Sequence, residues 1–500
     1  MSQQSKEMKN HVARKIVVIG AGIGGLAAAI RLCAAGLDVT VVETQATAGG
    51  KMRTVPSAAG PVDAGPTVLT MRWVFDDIFA SAGKQLDDYV QLISQPVLAR
   101  HWWLDGSRLD LHRDPKASAA AIAAFAGPRA EAEFIRFDRL AAQLYAAFDA
   151  PMMQATAPRL AKIAWNAACN PRVWPALMPG RSLAAHLKNT FSDPRLRQLF
   201  GRYATYVGGA PDRSPAVLAL IWQAEARGVW AVQGGMNRLA QALADVAAGQ
   251  GADLRFGVTV RKIERQGTRV SGVVLSDGRA LKCDAVVFNG DPAGLLAGLL
   301  GNGAQTALRP MAAHPRSLSA YVWAFAAKPD GADLIHHNVF FGADPVQEFG
   351  PIAAGQMPQD ATLYVCAQDR ATGSPPDLER FEIIMNAAPK TTLTAGETDQ
   401  CRAKTFPQLA RFGLMFDQMP PDSALTTPAG FAGLFPGSQG SIYGRSPHGT
   451  LASFHRPRTR TGLAGLYLAG GGAHPGAGVP MAALSGKHAA EAILNDLALT

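Results

Sequence analysis

The sequence predicts an α/β protein with more than one domain, and three observations lead to this prediction. Residues 15–43 follow the order strand, glycine-rich turn, helix and second strand, which is the order of a parallel β-α-β unit. A second strand, glycine-rich loop and helix start occur near the C-terminus, in residues 465–481. The chain has 500 residues, too many for one hydrophobic core, so we expect two or three domains.

The first unit has clear boundaries in the sequence. Residues 15–19 are apolar and rich in β-branched side chains, which favours a strand buried on both faces. Residues 26–35 predict a helix that Gly36 ends, because glycine is the preferred residue just past a helix C-terminus. Residues 38–42 predict the next strand, and this strand ends on Glu43.

The residues between the first strand and the helix predict a dinucleotide site. Gly20 allows a tight turn, Gly22 allows the backbone to approach a pyrophosphate, and Gly25 allows close helix–strand packing. Gly24 belongs to the same motif, and the phosphates would lie at the positive end of the helix dipole. Glu43 is placed to accept hydrogen bonds from a ribose diol, and its charge disfavours a 2′-phosphate.

A second short motif favours FAD over NAD as the cofactor. Gly49 and Gly50 are followed by two cations, Lys51 and Arg53, close to the predicted pyrophosphate position. With this doublet the chain resembles the two-dinucleotide-binding flavoproteins, the group that includes amine oxidases and carotenoid desaturases. The resemblance implies a Rossmann-like FAD-binding domain in which Gly50, Lys51 and Arg53 contact the cofactor.

Composition limits the class of protein. Hydrophobic residues make up 48% of the chain and charged residues 17%, as in a globular protein with much buried surface. The first 14 residues have no apolar core, so we expect no signal peptide, and no apolar run approaches the length that spans a bilayer. The five cysteines are scattered without a CxxC pair, which favours the cytosol and predicts neither disulfides nor a metal site.

Most of the positive charge is concentrated in one region. The chain becomes helical in pattern from about residue 117, and residues 151–230 hold ten Lys/Arg but three Asp/Glu, which is +7 of the net charge of +9. The same region is rich in aromatic residues, namely Trp165, Trp174, Trp222, Trp230, Tyr203 and Tyr206. Cations interleaved with tryptophan favour a membrane-interface region. A cationic helical domain with its tryptophans in the core is the alternative, and no nucleic-acid-binding motif accompanies the charge.

The middle of the chain contributes strands to two further units. Residues 252–288 predict a β-meander and a buried strand that ends at Asn289-Gly290-Asp291-Pro292, and in the resembled family the residue matching Val260 binds the adenine end through its backbone. Residues 317–326 and 336–341 begin what we interpret as a substrate domain. His336 and His337 invite a metal interpretation, but neighbouring residues of a strand point to opposite faces, so we expect structural or channel-lining histidines.

The C-terminal motif narrows the resemblance from the flavoprotein group to one of its families. A strand, the glycine run 470–472 and a helix start at Pro480 direct backbone N–H groups at one spot, where a flavin develops negative charge on reduction. The pattern His-Pro-Gly-Ala-Gly-Val-Pro at 474–480 resembles the bacterial phytoene-type carotenoid desaturases. The resemblance implies FAD contacts at Gly470, Gly471, Val479, Pro480 and Met481.

The resemblance also implies an organisation and an activity. The expected domains are FAD-binding (1–95, 228–300 and 440–500), mixed-sheet substrate-binding (96–116 and 301–439), and helical membrane-facing (117–227). With Ser441-Ile442-Tyr443-Gly444 and Arg456-Pro457, the chain looks most like the 1-hydroxycarotenoid 3,4-desaturases of purple phototrophic bacteria, which act on 1-hydroxy- or methoxyneurosporene in spheroidene and spirilloxanthin biosynthesis. The resemblance therefore implies an acyclic C40 substrate. It also implies a peripheral position on the cytoplasmic face of the photosynthetic membrane.

The sequence leaves several alternatives open. A phytoene desaturase, a carotenoid ketolase or an isomerase would use the same scaffold and differ only in product. A flavin amine oxidase and a non-enzymatic lipid-binding protein are the more distant alternatives. We assign no catalytic base, because His474 and Asp63 are candidates by position alone. Oligomeric state is not predicted.

Overall fold

The centre of the fold is a five-stranded parallel sheet. The computed structural model describes residues 14–308, 315–449 and 452–498. The strands lie in the order Leu466–Leu468, Ala285–Phe288, Lys15–Ile19, Asp38–Val42 and Asp253–Arg255, with every neighbouring pair parallel. Their β-branched side chains are buried on both faces: Val18 and Val41 pack against the helices, and Val17 and Val42 pack against antiparallel strands. The predicted α/β dinucleotide-binding fold is confirmed.

Four helices pack around this sheet, namely Ile23–Ala34, Trp73–Ser81, Met236–Gly249 and Val479–Ala498. The first and the last lie against each other, and small residues make this possible: a side chain at Gly486 would overlap the carbonyl oxygen of Gly24. The first helix begins at Ile23, three residues earlier than predicted, because the glycine motif itself forms the first helical turn. The predicted end is confirmed, with Gly36 at a φ of +83°.

A three-stranded antiparallel sheet lies beside the central sheet. Its strands are Val260–Gln266, Arg269–Leu275 and Ala280–Lys282, which confirms the predicted meander. The first strand begins at Val260, and a register irregularity follows directly after this residue.

A seven-stranded mixed sheet forms the second large layer. Its order is Leu425–Thr426, Ser319–Ala327, Glu379–Ala387, Leu363–Ala367, His337–Phe340, Val97–Trp102 and Arg108–His112. Among these described strands only Val97–Trp102 and His337–Phe340 pair in parallel. A hairpin around Asp105-Gly106 joins the last two strands of this order. The helices Pro345–Ala353, Glu397–Ala410 and Pro428–Leu434 belong to the same stretch of chain.

A helical layer comprises residues 115–226. Its helices are Pro115–Phe148, Leu160–Ala168, Trp174–Leu177, Leu183–Thr190, Pro194–Gly201 and Ile221–Ala226, with shorter turns at Asp149–Met153, Pro171–Val173, Arg202–Val207 and Ala216–Leu220. The long first helix is kinked at Gly127, whose φ is +86°, directly before Pro128. Phe134, Phe200 and Trp222 pack together in the core of this layer.

Shorter elements connect these layers. They are the strand pairs Thr54–Val55 with Val62–Asp63, Leu92–Ser94 with Trp230–Val232, and Pro329–Gly331 with Leu414–Phe416, and the helical segments Leu86–Asp88, Pro292–Leu296, Asn302–Gln305, Gln368–Ala371, Asp422–Ala424 and Ala452–His455. In the described parts of the chain, no helix combines the length and the apolar character that crossing a bilayer requires. The domain boundaries stay a prediction.

Candidate functional site

The two glycine-rich segments meet at the edge of the parallel sheet. A Cβ on Gly24 would lie 2.7 Å from the backbone nitrogen of Gly470. Asn289 lies between the segments, and its side-chain nitrogen donates to the carbonyl oxygen of Gly20 at 3.0 Å. Gly470 in turn donates its N–H to Ser485 on the closing helix at 2.7 Å. The carboxyl ends of three neighbouring strands therefore present both glycine segments to one location, where open α/β sheets bind their ligands.

The Gly49–Gly50 doublet extends this location. The Gly49 N–H donates to the carbonyl oxygen of Ala21 at 2.9 Å, and a Cβ on Gly50 would lie 3.2 Å from the Cα of Gly22. No side chain caps the helix that begins at Ile23, so its first N–H groups are available to a ligand. An uncapped helix end in a glycine-lined cradle fits a pyrophosphate.

Glu43 lies at the other end of this cradle. Its carboxylate accepts hydrogen bonds from the N–H groups of Ala21 at 2.7 Å and Gln45 at 2.8 Å, and the residue is 8% exposed. The Val258 N–H donates to the Glu43 carbonyl oxygen at 2.9 Å, which places the start of the strand at Val260 beside Glu43. Each carboxylate oxygen retains a lone pair, so hydrogen bonds from a ribose diol remain possible.

Buried cations surround the junction of the two segments. The Arg456 guanidinium donates to the carbonyl oxygens of Gly471 at 2.8 Å and Tyr443 at 3.0 Å. Burial lowers the pKa of Arg456 to about 10. Arg316 forms an ion pair with Asp291 in the same cluster. This positive environment fits a cofactor that carries phosphates and gains negative charge when it is reduced.

Lys51 and Arg53 belong to the same group of buried cations, and each makes its own hydrogen bond. Lys51 donates to the Ile442 carbonyl oxygen, and burial lowers its pKa to about 8, with Arg316 and Arg456 adding to the effect and Asp291 opposing it. Arg53 donates to Thr426, and burial lowers its pKa also.

An apolar cavity of about 440 Å³ begins at the C-terminal glycine segment. Pro480, Met481 and residues 476–478 form one part of its wall. Leu160, Ile163 and Met178 of the helical layer form another part. The cavity thus extends from the predicted flavin edge towards the surface of the helical layer.

The surface beside this cavity is apolar and basic. Leu160, Trp165, Trp174 and Met178 are 55%, 69%, 54% and 56% exposed, and we call these four residues the apolar rim. Exposed cations flank them at Arg159, Lys162 and Arg172. Large apolar side chains grouped within residues 160–178 and flanked by cations are typical of an interaction surface.

The aromatic residues of the basic region divide between the two alternatives, an interface and a core. Trp222 and Tyr203 are 1% exposed and belong to the core of the helical layer. The Trp222 indole N–H donates to Asp138 at 2.8 Å, which fixes it as a core residue. The core alternative therefore holds for residues near 203–222, while Trp165 and Trp174 lie on the surface.

Comparison with known proteins agrees with this geometry. The family model of flavin containing amine oxidoreductases matches residues 23–318. A hydroxyneurosporene desaturase of Cereibacter sphaeroides is 62% identical over 97% of this chain and 99% of its own length. A hydroxyneurosporene desaturase of Rhodobacter capsulatus is 55% identical over 96% of this chain and 98% of its own length. The chain belongs to the hydroxyneurosporene desaturase family.

This membership confirms the predicted flavin cofactor and the predicted oxidoreductase class. The fold is found more widely. Cyclohexylamine oxidase from Brevibacterium oxydans matches with a TM-score of 0.58 at 16% identity, covering 97% of this chain and 99% of that chain.

In this desaturase-family chain, the two candidates for a catalytic base, Asp63 and His474, both have hydrogen-bond partners within the protein. The Asp63 carboxylate accepts from the N–H groups of Met236 and Asn237, so it caps the helix Met236–Gly249. His474 is 1% exposed, contacts the Ala155 carbonyl oxygen through Nε2 at 2.7 Å, and has its pKa lowered by burial. Both residues have structural partners that account for their positions.

The expected geometry of the histidine pair is wrong. His336 lies in a bend before the strand His337–Phe340, so the two rings approach to 4.4 Å instead of pointing to opposite faces. With Cys366 they bring three potential ligand atoms within 4.8 Å of one another. His336 Nδ1 contacts the Ala367 carbonyl oxygen at 3.0 Å, and His337 Nδ1 contacts the Tyr364 hydroxyl at 2.7 Å. The lack of a metal stays a prediction.

The structure adds residues that the sequence did not single out. Asn289 holds the two glycine segments together, and only its place in the Asn-Gly-Asp-Pro turn hinted at this. Ser485 and Arg316 are separated from the glycine motifs in sequence and carried no local signal. Glu225 and Tyr206 line the cavity; the sequence marked Tyr206 only as an aromatic residue and did not single out Glu225.

Proposed function

We propose that this chain is an FAD-dependent desaturase that introduces the C-3,4 double bond into an acyclic C40 carotenoid with a 1-hydroxyl or 1-methoxyl group. The observation that carries the proposal is the apolar cavity, because it connects the C-terminal glycine segment with the apolar rim. A hydrocarbon substrate needs such a path, since it enters from lipid rather than from water. The names of the two relatives supply the hydroxylated carotenoid.

The residues proposed to hold FAD form three groups, each of which would contact a different part of the cofactor. Gly20, Gly22, Gly24, Gly25 and Gly50 would surround the pyrophosphate at the helix N-terminus. Glu43 and Val260 would bind the adenosine end. Lys51, Arg53, Gly470, Gly471, Val479, Pro480 and Met481 would surround the remaining part and the ring. Bound FAD would accept the two hydrogens that a CH–CH unit loses.

The protein's own contribution to this reaction is alignment and exclusion of water. Pro480 and Met481 would hold the polyene against the site, and the apolar wall would exclude water. Arg456, fixed on the Gly471 carbonyl oxygen, would stabilise negative charge developing at the site. No acid or base from the chain is assigned to the loss of the proton.

The apolar rim supports a peripheral membrane position on the cytoplasmic face, where an insoluble carotenoid resides. Trp165 and Leu160 would enter the lipid interface, while Arg159, Lys162 and Arg172 would meet anionic head groups. Each cation near such a surface contributes roughly 1 kcal/mol. The three predicted domains, with the helical region as the membrane-facing one, form part of the same proposal.

Expression in bacteria that accumulate either neurosporene or 1-hydroxyneurosporene tests the function. We expect a pigment with two hydrogens fewer and a red-shifted spectrum in the cells that supply the hydroxylated carotenoid. A product that gains oxygen would indicate a ketolase, an unchanged mass would indicate an isomerase, and conversion of phytoene would indicate a phytoene desaturase. Any of these three results would overturn the proposal.

A further inference from the structure

The wall of the apolar cavity contains a buried polar cluster that a hydrocarbon alone does not need. Among the described lining residues, Arg456 and Glu225 are the two that carry a charge. Arg456 lies at the C-terminal glycine segment, where its hydrogen bonds are already described. Glu225 lies on the helix Ile221–Ala226 and is 3% exposed.

Glu225 is the centre of this cluster. One carboxylate oxygen accepts from the Tyr206 hydroxyl at 3.0 Å, and the other accepts from the Tyr203 hydroxyl. Tyr206 also lines the cavity. Burial raises the pKa of both tyrosines, so their hydroxyls remain protonated donors.

Arg202 supplies the compensating charge. Its guanidinium carbon lies 4.9 Å from the centre of the Tyr206 ring and 5.4 Å from that of Tyr203. Arg202 is 9% exposed, yet its Nε and Nη2 atoms have no hydrogen-bond partner in the described part of the chain. Arg202 is not among the described residues that line the cavity, so its charge acts on a ligand there through Tyr206 and Glu225.

A hydroxyl group fits such a cluster. Its own proton can be donated to a free lone pair of Glu225, and its oxygen can accept the Tyr206 O–H in exchange for the bond that this hydroxyl gives to Glu225. A polyene without a hydroxyl offers neither the acceptor oxygen nor the donor proton. The cluster therefore adds to the apolar cavity the chemistry that recognises an alcohol.

The position of the cluster agrees with the reaction. Gly208, two residues after Tyr206, contacts Tyr443 so closely that a Cβ on it would lie 2.7 Å from Cδ2 of that ring. The Tyr443 carbonyl oxygen accepts from Arg456, which also holds Gly471. The backbone that follows Tyr206 thus reaches the Tyr443–Arg456 contact, and Tyr206, Glu225 and Arg456 line one cavity. In a 1-hydroxycarotenoid the hydroxyl carbon is two bonds from C-3, so the group that binds it must lie in the same cavity as the reacting carbons.

We propose that Tyr206 and Glu225, with Arg202 behind them, bind the tertiary hydroxyl of the substrate and thereby set both the choice of carotenoid and the position of the new double bond. This inference rests on the proposed function. Tyr206 and Glu225 act as specificity-determining residues, and no chemical step is assigned to them.

The test compares Tyr206→Phe and Glu225→Gln with Tyr145→Phe, which removes a hydroxyl from another residue lining the cavity. The holoenzymes are incubated with 1-hydroxyneurosporene and with neurosporene in liposomes, and kcat/KM is measured for each. We expect the ratio of the two kcat/KM values to fall about tenfold or more in the first two variants and to stay unchanged in Tyr145→Phe. A merely structural role would lower both values together and leave the ratio unchanged.

The outcomes separate the two proposals. If the wild type desaturates neither carotenoid, the proposed function is wrong and the inference falls with it. If the wild type prefers the hydroxylated substrate and both variants retain that preference with full flavin content, the inference alone is overturned. If Glu225→Gln does not fold, Tyr206→Phe decides, because it removes one oxygen atom and leaves Glu225 with its other tyrosine partner.

Discussion

Gly24 and Gly470 approach each other so closely that a Cβ on Gly24 would lie 2.7 Å from the backbone nitrogen of Gly470 and 2.8 Å from the carbonyl oxygen of Ala482. Both neighbours are backbone atoms, which cannot rotate away as a side chain could. The N-terminal and C-terminal glycine segments therefore depend on each other for their positions. A single cofactor site built from both ends of the chain follows from this contact.

Gly24→Ala should separate the two segments. We expect the purified variant to lose most of its flavin and to unfold at a lower temperature, because overpacking a backbone contact costs about 1–3 kcal/mol. Flavin absorbance per protein and a thermal melt measure both effects. Gly249→Ala is the matched control, since nothing lies within 4 Å of a Cβ at that position in the helix Met236–Gly249. Full flavin content in Gly24→Ala would contradict the shared site.

Lys51 should make FAD affinity depend on pH. Its pKa of about 8 in the cofactor-free protein means that it is protonated below this pH and increasingly neutral above it. An anionic cofactor raises the pKa of a lysine beside it, so affinity is full below about pH 8 and falls by up to about tenfold per pH unit above it. Fluorescence titration of the deflavinated protein measures this. Lys51→Met should bind more weakly without the dependence, and Lys51→Arg should keep the affinity of the charged form. The same pH profile in Lys51→Met would exclude Lys51 as the titrating group.

The apolar rim should hold the protein on lipid. Trp165→Ser together with Trp174→Ser removes two exposed indoles, and each buried side chain of this size contributes about 1.5–3 kcal/mol. We expect at least about a tenfold loss of binding in flotation with phosphatidylglycerol vesicles, with flavin content unchanged. Leu393→Ser together with Met419→Ser is the control, because these side chains are 60% and 57% exposed and lie outside the helical layer. Equal flotation of the two double variants would contradict a membrane role for the rim.

His186 should make the helical layer sensitive to acid. Burial, with a contribution from Arg181, lowers its pKa to about 4, and neither ring nitrogen has a hydrogen-bond partner in the described structure. The unfolded chain therefore binds the proton first as pH falls below about 6.5, and stability is lost from there towards pH 4. The loss between about pH 7.5 and about pH 5.5 is about 1.4 kcal/mol. His186→Leu should reduce the fall in melting temperature over this interval, and an unchanged fall would show that His186 is protonated in the folded protein.

The local parts of the fold were predictable because local chemistry determines them. The turn at Gly20 and Gly25 and the end of the helix at Gly36 follow from spacing and from backbone freedom, and the structure places them as predicted. The contact between Gly24 and Gly470 depends on how distant helices pack, so the sequence suggested it only through the resemblance.

The surface of the helical layer was only partly predictable. Trp165 and Trp222 occur in similarly basic, alanine-rich sequence, and the helices Leu160–Ala168 and Ile221–Ala226 are too short for a periodic pattern to tell the outer face from the inner face. The cluster of Tyr206 and Glu225 likewise forms where two separate helical segments meet. Tertiary packing, which no local pattern encodes, decides each of these positions.

An anaerobic single-turnover experiment shows whether the bound flavin itself takes the hydrogens from the carotenoid. The holoenzyme is mixed with excess 1-hydroxyneurosporene in liposomes without any electron acceptor, and both the oxidised flavin and the desaturated carotenoid are quantified. We expect one desaturated carotenoid for each FAD reduced, and none in Gly24→Ala protein that lacks flavin. Product formed without loss of oxidised flavin, or no product from fully flavinated wild-type protein, would contradict desaturation by the bound flavin.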